Sequence, residues 1–95
     1  MRVHWHPSAR DEADLAAAFY QRQREGLGRR FLDSLDDAVA RASARPGIYP
    51  TLAPGIRKCR LKTFPYALVF RGEREIQILA VMHARRTPDY WRNRA

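Results

Sequence analysis

Two amphipathic stretches, separated by a break that contains Gly26 and Gly28, constrain the possible folds of this chain most strongly. The first stretch has apolar residues at spacings of three and four from Ala9 to Tyr20. The second stretch repeats that spacing from Leu27 to Ala42. Because only a short break separates the two helical patterns, they predict an antiparallel helical hairpin.

The ends of both helices follow from capping residues and glycine. Ser8 has acidic residues three and four positions later, which predicts that it caps a first helix running to about Glu25. The second helix is predicted to start within residues 27–29, after the glycine break. Leu15 and Phe19 are predicted to widen the buried stripe of the first helix.

The segments around the hairpin have the alternation and composition of strands. One short strand precedes it at residues 2–6, "RVHWH", and ends at Pro7. Three more are predicted at residues 57–64, 66–71 and 75–84, and their short connections favour an antiparallel meander.

The remaining segments are a loop and a short terminal turn. Residues 45–55, with three prolines and two glycines, are predicted to hold no regular element. Residues 87–94 predict a short C-terminal helical turn capped by Thr87. The predicted order is β-α-α-β-β-β, an α+β fold in which an antiparallel sheet packs against the hairpin, forming one domain over residues 1–95.

Composition narrows the class of protein. Hydrophobic residues make up 45% of the chain and charged residues 29%, which is typical of a folded domain. No apolar run is long enough for a membrane span or a signal peptide, so no membrane association is expected. The single cysteine, Cys59, cannot form an internal disulfide, which favours the reducing cytoplasm.

The positive charge of the chain is concentrated in its C-terminal part. Residues 1–56 hold eight Arg and seven acidic residues, whereas residues 57–95 hold eight Arg, two Lys and three acidic residues. The net charge is therefore +1 in the first part and +7 in the second. Such asymmetry favours a polyanionic or acidic partner over a role in solubility alone.

The segment "RKCRLKTF" is predicted to carry part of this charge in a row. By strand alternation, Lys58, Arg60, Lys62 and Phe64 face away from the helices, whereas Arg57, Cys59, Leu61 and Thr63 face them. A row of cations about 7 Å apart could follow a nucleic-acid backbone. The alternative is a solvated strand face whose lysines discourage edge pairing.

A second group of polar residues follows the last strand. His83, Arg85 and Arg86 lie where the chain leaves the sheet, close in sequence to Tyr90. His83 could be a general base whose pKa neighbouring arginines lower, or a residue that caps the strand end by hydrogen bonding. No cysteine or acidic residue has ligand spacing with His4 and His6, so no metal site is predicted.

The segments "KCRLKTFPYALVF" and "IQILAVMHARRTPDYW", together with the leading strand and hairpin, resemble the RelE/ParE family of bacterial toxins. The resemblance implies a toxin of a type II toxin–antitoxin system without a cofactor. It also implies a cognate antitoxin that wraps the toxin in a hetero-oligomer with a helix and an extended segment. Operator DNA would be contacted only indirectly, through the antitoxin.

The resemblance implies two alternative activities. RelE-like members enter the ribosome and cleave mRNA, and the matching catalytic positions here are Lys58, Arg60, Lys62, Arg71, His83, Arg86 and Tyr90. ParE-like members inhibit DNA gyrase and need no catalytic group. Their last strand ends in a motif similar to "MHAR" here, and this ending, with the break "RQREGLGRRF", favours the ParE-like activity slightly.

In either case, target or antitoxin binding is expected at a set of cationic residues and one tryptophan: Arg57, Lys58, Arg60, Lys62, Arg85, Arg86 and Trp91. A third possibility is a basic nucleic-acid-binding module without toxicity. Aromatic residues of the strands, Phe64, Tyr66 and Phe70, and also Trp91, are expected to pack in or beside the core more than to stack on bases.

Overall fold

The computed structural model describes residues 2–95 as two helices packed on one face of a five-stranded sheet. The elements in chain order are β1 (Arg2–Trp5), α1 (Pro7–Gln23), α2 (Leu27–Ala44), a 3-10 turn (Pro46–Ile48), β2 (Thr51–Ala53), β3 (Ile56–Arg60), β4 (Tyr66–Arg71), β5 (Glu75–His83) and a second 3-10 turn (Arg92–Arg94). The spatial order of the strands is β1-β5-β4-β3-β2. The α+β class, the hairpin and a C-terminal helical turn are confirmed, but this turn begins at Arg92, after Trp91, and is not capped by Thr87. Within residues 2–95 no helix is both long and apolar enough to cross a bilayer.

The sheet is mixed, which differs from the wholly antiparallel sheet predicted above. The meander of β3, β4 and β5 is antiparallel as predicted, but β1 runs parallel to β5 at the sheet edge. Val3 pairs with Ile76 and Trp5 with Ile78, so both strands turn apolar residues towards the helices. Strand alternation determines which face a side chain occupies and leaves the direction of the strand open.

The segment predicted as an irregular loop contains regular structure, and that prediction was wrong. The 3-10 turn at Pro46–Ile48 precedes β2, which pairs with β3 through Thr51 opposite Arg57. The dense prolines limit β2 to three residues at the sheet edge, where a missing N–H is tolerated. Gly55, with φ of 76°, makes the tight connection to β3.

The helix boundaries differ slightly from the predicted ones. The α1 cap is His6 rather than Ser8, since the imidazole Nδ1 of His6 accepts a hydrogen bond from the Ser8 N–H at 3.1 Å. At the start of α2, Oε1 of Gln21 accepts hydrogen bonds from the N–H groups of Gly26 and Gly28, at 3.1 and 3.2 Å. These bonds satisfy donors that the first turn of a helix leaves free.

The apolar core lies between the helices and the sheet. Small residues of α1, including Ala9 and Ala13, allow close packing, and α2 contributes Phe31 and Leu35. Four aromatic rings meet at one end of this layer, with centroid distances of 4.8 to 6.2 Å: Tyr20, Phe31, Phe64 and Tyr66. The structure thus places these aromatic residues in packing roles.

A second apolar cluster lies on the other face of the sheet, which the sequence predicted to be open. Trp91 is 1% exposed there and packs against Ile56, Val69 and the neighbouring residues Leu79 and Ala80 of β5. The register of β4 with β5 shifts in this region, which brings those two consecutive residues to one cluster. The C-terminal segment therefore covers part of this face.

Candidate functional site

Two cations of the predicted row remain on the face opposite the helices. Lys58 pairs with Val69 and Arg60 with Ala67 in the β3–β4 ladder, while Cys59 and Leu61 are buried beneath the helices as predicted. With Ile56 of the same strand, Lys58 and Arg60 share the face that Trp91 partly covers. The exposed part of that face begins at these two cations.

Lys62 does not continue the row, contrary to the prediction. The strand β3 ends at Arg60, and the chain then turns, so alternation no longer sets the side-chain direction. Lys62 Nζ lies 3.9 Å from Oδ2 of Asp37 on α2, which puts it on the helical side. Phe64, also predicted to face away from the helices, instead contacts Phe31 in the core.

A groove with an apolar floor begins beside Lys58 and Arg60. Its volume is about 360 Å³, and we call it the cationic groove; its remaining lining residues are Leu61, Phe64, Pro65, Tyr66, Ala67, Met82 and Ala84. Between residues 2 and 95, neither Lys58 nor Arg60 has a carboxylate within ion-pair distance. Two unneutralised cations beside apolar surface suit a ligand that combines negative charge with an apolar group.

Arg41 of α2 holds the end of β3 in place. Its Nη2 donates a hydrogen bond to the Arg60 carbonyl at 2.9 Å, and its Nε donates to Oδ2 of Asp37 at 2.8 Å. Burial disfavours the charged form of Arg41, but the hydrogen bond and charge of Asp37 outweigh it and raise the pKa. Burial also raises the pKa of the neighbouring Cys59 thiol. The backbone at Arg60 is therefore held by the guanidinium of Arg41, which stays protonated.

Two further predicted residues lie away from the cationic groove. Arg57 faces the helical side, where its Nη1 donates a hydrogen bond to the Tyr49 carbonyl. Arg71 is four residues along β4 from Ala67, or about 13 Å, and its Nε donates to Oε1 of Gln77 at 2.7 Å. Neither guanidinium group converges on Lys58 and Arg60.

His83 lies on the helical face of the sheet, opposite to Lys58 and Arg60. Its ring packs edge-on against Tyr66 at 4.9 Å, and its Nδ1 accepts a hydrogen bond from the Arg85 N–H at 3.0 Å. This second contact is the strand-end cap proposed above as one alternative. The geometry separates the imidazole from the two cations with which it was predicted to act.

A second groove, absent from the sequence-based predictions, lies between α1 and the end of β5. We call it the α1–β5 groove; its volume is about 280 Å³ and it is lined by Glu12, Leu15, Ala16, Phe19, Tyr66, Val81, His83 and Arg86. Leu15 is 71% exposed and Phe19 is 47% exposed, so the prediction that they widen the buried stripe was wrong. Helical spacing put them beside the core, but the sheet does not extend under them.

The C-terminal segment is attached by an ion pair that links residues 82 positions apart. The Nη1 and Nη2 groups of Arg94 donate to the Glu12 carboxylate at 2.9 and 3.1 Å, and Nη1 also donates to the Leu79 carbonyl at 3.0 Å. Glu12 accepts a further hydrogen bond from the Val81 N–H. Since β1 pairs with β5 only as far as Ile78, Glu12 and Arg94 occupy the edge beyond. Local sequence patterns could not predict this ion pair, because its two residues are far apart in the chain.

Tyr90 and Trp91 are held inside this attachment. The Tyr90 ring lies between Arg86 and Arg94, whose guanidinium carbons are 4.0 and 5.0 Å from its centroid. Burial, and then the charge of Glu12, raise the pKa of its phenol, which forms no well-aligned hydrogen bond with any of residues 2–95. Trp91 is too buried for direct contact with a partner, which corrects its predicted binding role in this conformation. Arg85 and Arg86 remain exposed.

Comparison with known proteins identifies the family. A search of curated protein sequences found no match. A solved structure described as "Chromosomal ParDE TA system from P. aeruginosa" is similar in fold, with a TM-score of 0.64 and 23% identity over 87% of this chain and 95% of that chain. Residues 3–88 match the family model described as "ParE toxin of type II toxin-antitoxin system, parDE". This chain therefore belongs to the ParE toxin family of type II toxin–antitoxin systems.

Proposed function

We propose that this chain is a growth-arresting toxin that inhibits DNA gyrase by binding, without catalysis, and that a cognate antitoxin neutralises it in the cytoplasm. The observation that carries the proposal is the separation of the ionisable groups required for RNA cleavage. Lys58 and Arg60 lie on one face of the sheet, and His83 lies on the other.

Cleavage of RNA at a ribose 2′-hydroxyl requires a base, an acid and charge stabilisation around a single phosphate. Each of these groups must reach its reacting atom by a hydrogen bond or through one water. Here the sheet separates His83 from the cations, Arg71 is several residues away, and the Tyr90 phenol is buried. The arrangement therefore favours inhibition by binding over RelE-like cleavage of mRNA.

The surface best suited to the target is the cationic groove. Its two cations lack acidic partners among the residues described, and the hydrogen bonds of Arg41 fix the strand end that carries them. An acidic antitoxin segment with apolar side chains would cover the same groove and thereby block the target. Contact with operator DNA would then come through the antitoxin.

Reversal of the charge at Arg60 tests this surface. We expect Arg60→Glu to weaken inhibition of gyrase-catalysed supercoiling by about tenfold or more, because one unpaired cation becomes an anion facing an acidic partner. Arg74→Glu is a matched control, since Arg74 is exposed in the β4–β5 turn and makes the same change in net charge. Equal inhibition by both variants, each with a wild-type circular dichroism spectrum, would exclude the cationic groove as the target surface.

A parallel assay separates the two activities of the family. Purified protein is added to ribosomes programmed with mRNA, and the mRNA is examined for cleavage. We expect intact mRNA together with inhibited supercoiling. Cleaved mRNA with unimpaired supercoiling would contradict this proposal and support the RelE-like activity. If expression without antitoxin left growth unaffected, a non-toxic nucleic-acid-binding module would be favoured instead.

A further inference from the structure

The apolar floor of the cationic groove continues beneath the C-terminal segment, residues 84–95. We call the sheet residues under Trp91 the covered strip: Ile56, Val69, Leu79 and Ala80. Met82 packs against this strip and also lines the cationic groove, so the two surfaces are continuous. We propose that the target-binding surface extends over the covered strip, and that the target displaces the C-terminal segment when it binds. The inference rests on the proposed function and adds a hidden part to its binding surface.

The strand register places a cation and the covered strip on one surface. Lys58 pairs with Val69, and Val69 pairs with Ala80, so these three residues form a row across β3, β4 and β5. Residues directly opposite each other in a ladder point to the same face of the sheet. Arg60 lies in the next row, which is open and belongs to the cationic groove. Displacement of the C-terminal segment would therefore lengthen the groove along the sheet.

The C-terminal segment is attached to the sheet by side chains and not by a strand ladder. Within residues 2–95, the backbone hydrogen bonds donated by residues 85–95 go to carbonyls of residues 83–92 and close turns. Residues 84–89 are all exposed, and only Tyr90, Trp91 and Arg94 of the segment are buried or half-buried. Rotation within the exposed residues can therefore lift the segment while the ladders of the sheet stay intact.

Two polar atoms of the C-terminal segment are buried without a partner. The Trp91 indole nitrogen and the Tyr90 hydroxyl form no hydrogen bond with any of residues 2–95. A buried polar atom without a partner carries its full desolvation cost, and exposure to water removes that cost. Displacement of the segment therefore recovers part of the free energy that is lost when the Arg94–Glu12 ion pair and the apolar contacts of Trp91 break.

The charge of the C-terminal segment makes it a poor electrostatic match for the surface beside it. Residues 84–95 contain four Arg and one acidic residue, Asp89, which is paired with Arg92. Lys58 and Arg60 therefore lie next to a cationic segment and have no carboxylate within ion-pair distance among residues 2–95. A target segment with carboxylates and apolar side chains would pair with both cations and cover the same strip, so it can replace the C-terminal segment.

The test uses the full chain with Arg94→Glu, because the new carboxylate repels Glu12 and releases the C-terminal segment. The matched control, Arg74→Glu, makes the same change in net charge at an exposed position of the β4–β5 turn. The proteins are labelled with fluorotryptophan, and a Trp5→Phe variant assigns the fluorine NMR resonance of Trp91. The measurements are this resonance with and without unlabelled gyrase, and the toxin concentration that halves supercoiling.

We expect Arg94→Glu to halve supercoiling at a concentration about threefold or more below that of the wild type, because the target no longer has to displace the segment. The loss of positive charge alone would weaken inhibition, so Arg74→Glu should inhibit no better than the wild type. Gyrase should move the wild-type Trp91 resonance to the position that it has in free Arg94→Glu.

Two results would overturn the inference. One is inhibition by Arg94→Glu that is no stronger than by Arg74→Glu, with both circular dichroism spectra like that of the wild type. The other is a wild-type Trp91 resonance that inhibitory concentrations of gyrase leave in place, and this result decides the matter if Arg94→Glu does not fold. If the wild type does not inhibit gyrase, the proposed target fails. Growth arrest at graded expression of the two variants then decides the covered strip, since stronger arrest by Arg94→Glu supports it and equal or weaker arrest contradicts it.

Discussion

Single glycines show how closely the backbone constrains residue identity. Gly72 has φ of 107°, and a Cβ added there would lie 1.9 Å from the Glu75 carbonyl oxygen. Gly55 has φ of 76° with open space around it, and Gly47 has open space and no positive φ. We therefore expect alanine at Gly55 to destabilise the protein by about 1–2 kcal/mol. Alanine at Gly72 should destabilise it more, and alanine at Gly47 very little. Urea unfolding measures the series, and a Gly72→Ala variant as stable as Gly47→Ala would contradict it.

The residues of β3, and those just after it, show how far strand alternation can predict the positions of side chains in the candidate site. It correctly placed Cys59 inward and Lys58 and Arg60 outward, because all three lie within β3. It misplaced Lys62 and Phe64, because the strand ends at Arg60 and a turning chain has no two-residue period. The end of a strand depends on its neighbours in the sheet, which local sequence does not specify.

Among the elements, the C-terminal segment depends on one ion pair for its position. The side chains of Glu12 and Arg94 are 15% and 14% exposed, so removal of one partner leaves a poorly solvated charge. We expect Glu12→Gln to lower the free energy of unfolding by about 3 kcal/mol and to shift the tryptophan emission of the protein to the red as the segment around Trp91 loosens. Glu12→Gln with Arg94→Leu should cost less than the sum of the single changes.

The exposed pair of Arg29 and Asp33 is the control for this prediction. Their side chains are 77% and 60% exposed, and surface pairs of this kind contribute little to stability. Asp33→Asn should therefore leave the unfolding midpoint and the tryptophan emission nearly unchanged. Additive effects of Glu12→Gln and Arg94→Leu would show that the two side chains act independently.

Prediction at the scale of elements succeeded where contacts are local and failed where they are distant. Helical spacing and the glycine break specify the hairpin, and short turns specify the meander of β3, β4 and β5. By contrast, β1 pairs in parallel with β5, and Trp91 covers part of one face of the sheet. Both contacts join segments that are far apart in the sequence. Such pairings depend on which apolar edge or face remains uncovered after the local elements form, and no short segment encodes that.

For the molecule as a whole, the uneven charge should make the rate of antitoxin binding depend on salt concentration. Residues 57–95 carry a net charge of +7, so long-range attraction should speed association with an acidic partner and weaken as salt screens it. Between about 50 and 300 mM salt we expect the association rate constant to fall by about tenfold, with a much smaller change in dissociation. Surface plasmon resonance measures both rates.

A charge-reversed variant of the cationic groove should change this salt dependence. Lys58→Glu with Arg60→Glu removes unpaired cations and should flatten the salt dependence of association, because the attracting field is weakened at the cationic groove. A salt dependence that this double variant shares with the wild type would mean that association is steered by charges outside the cationic groove.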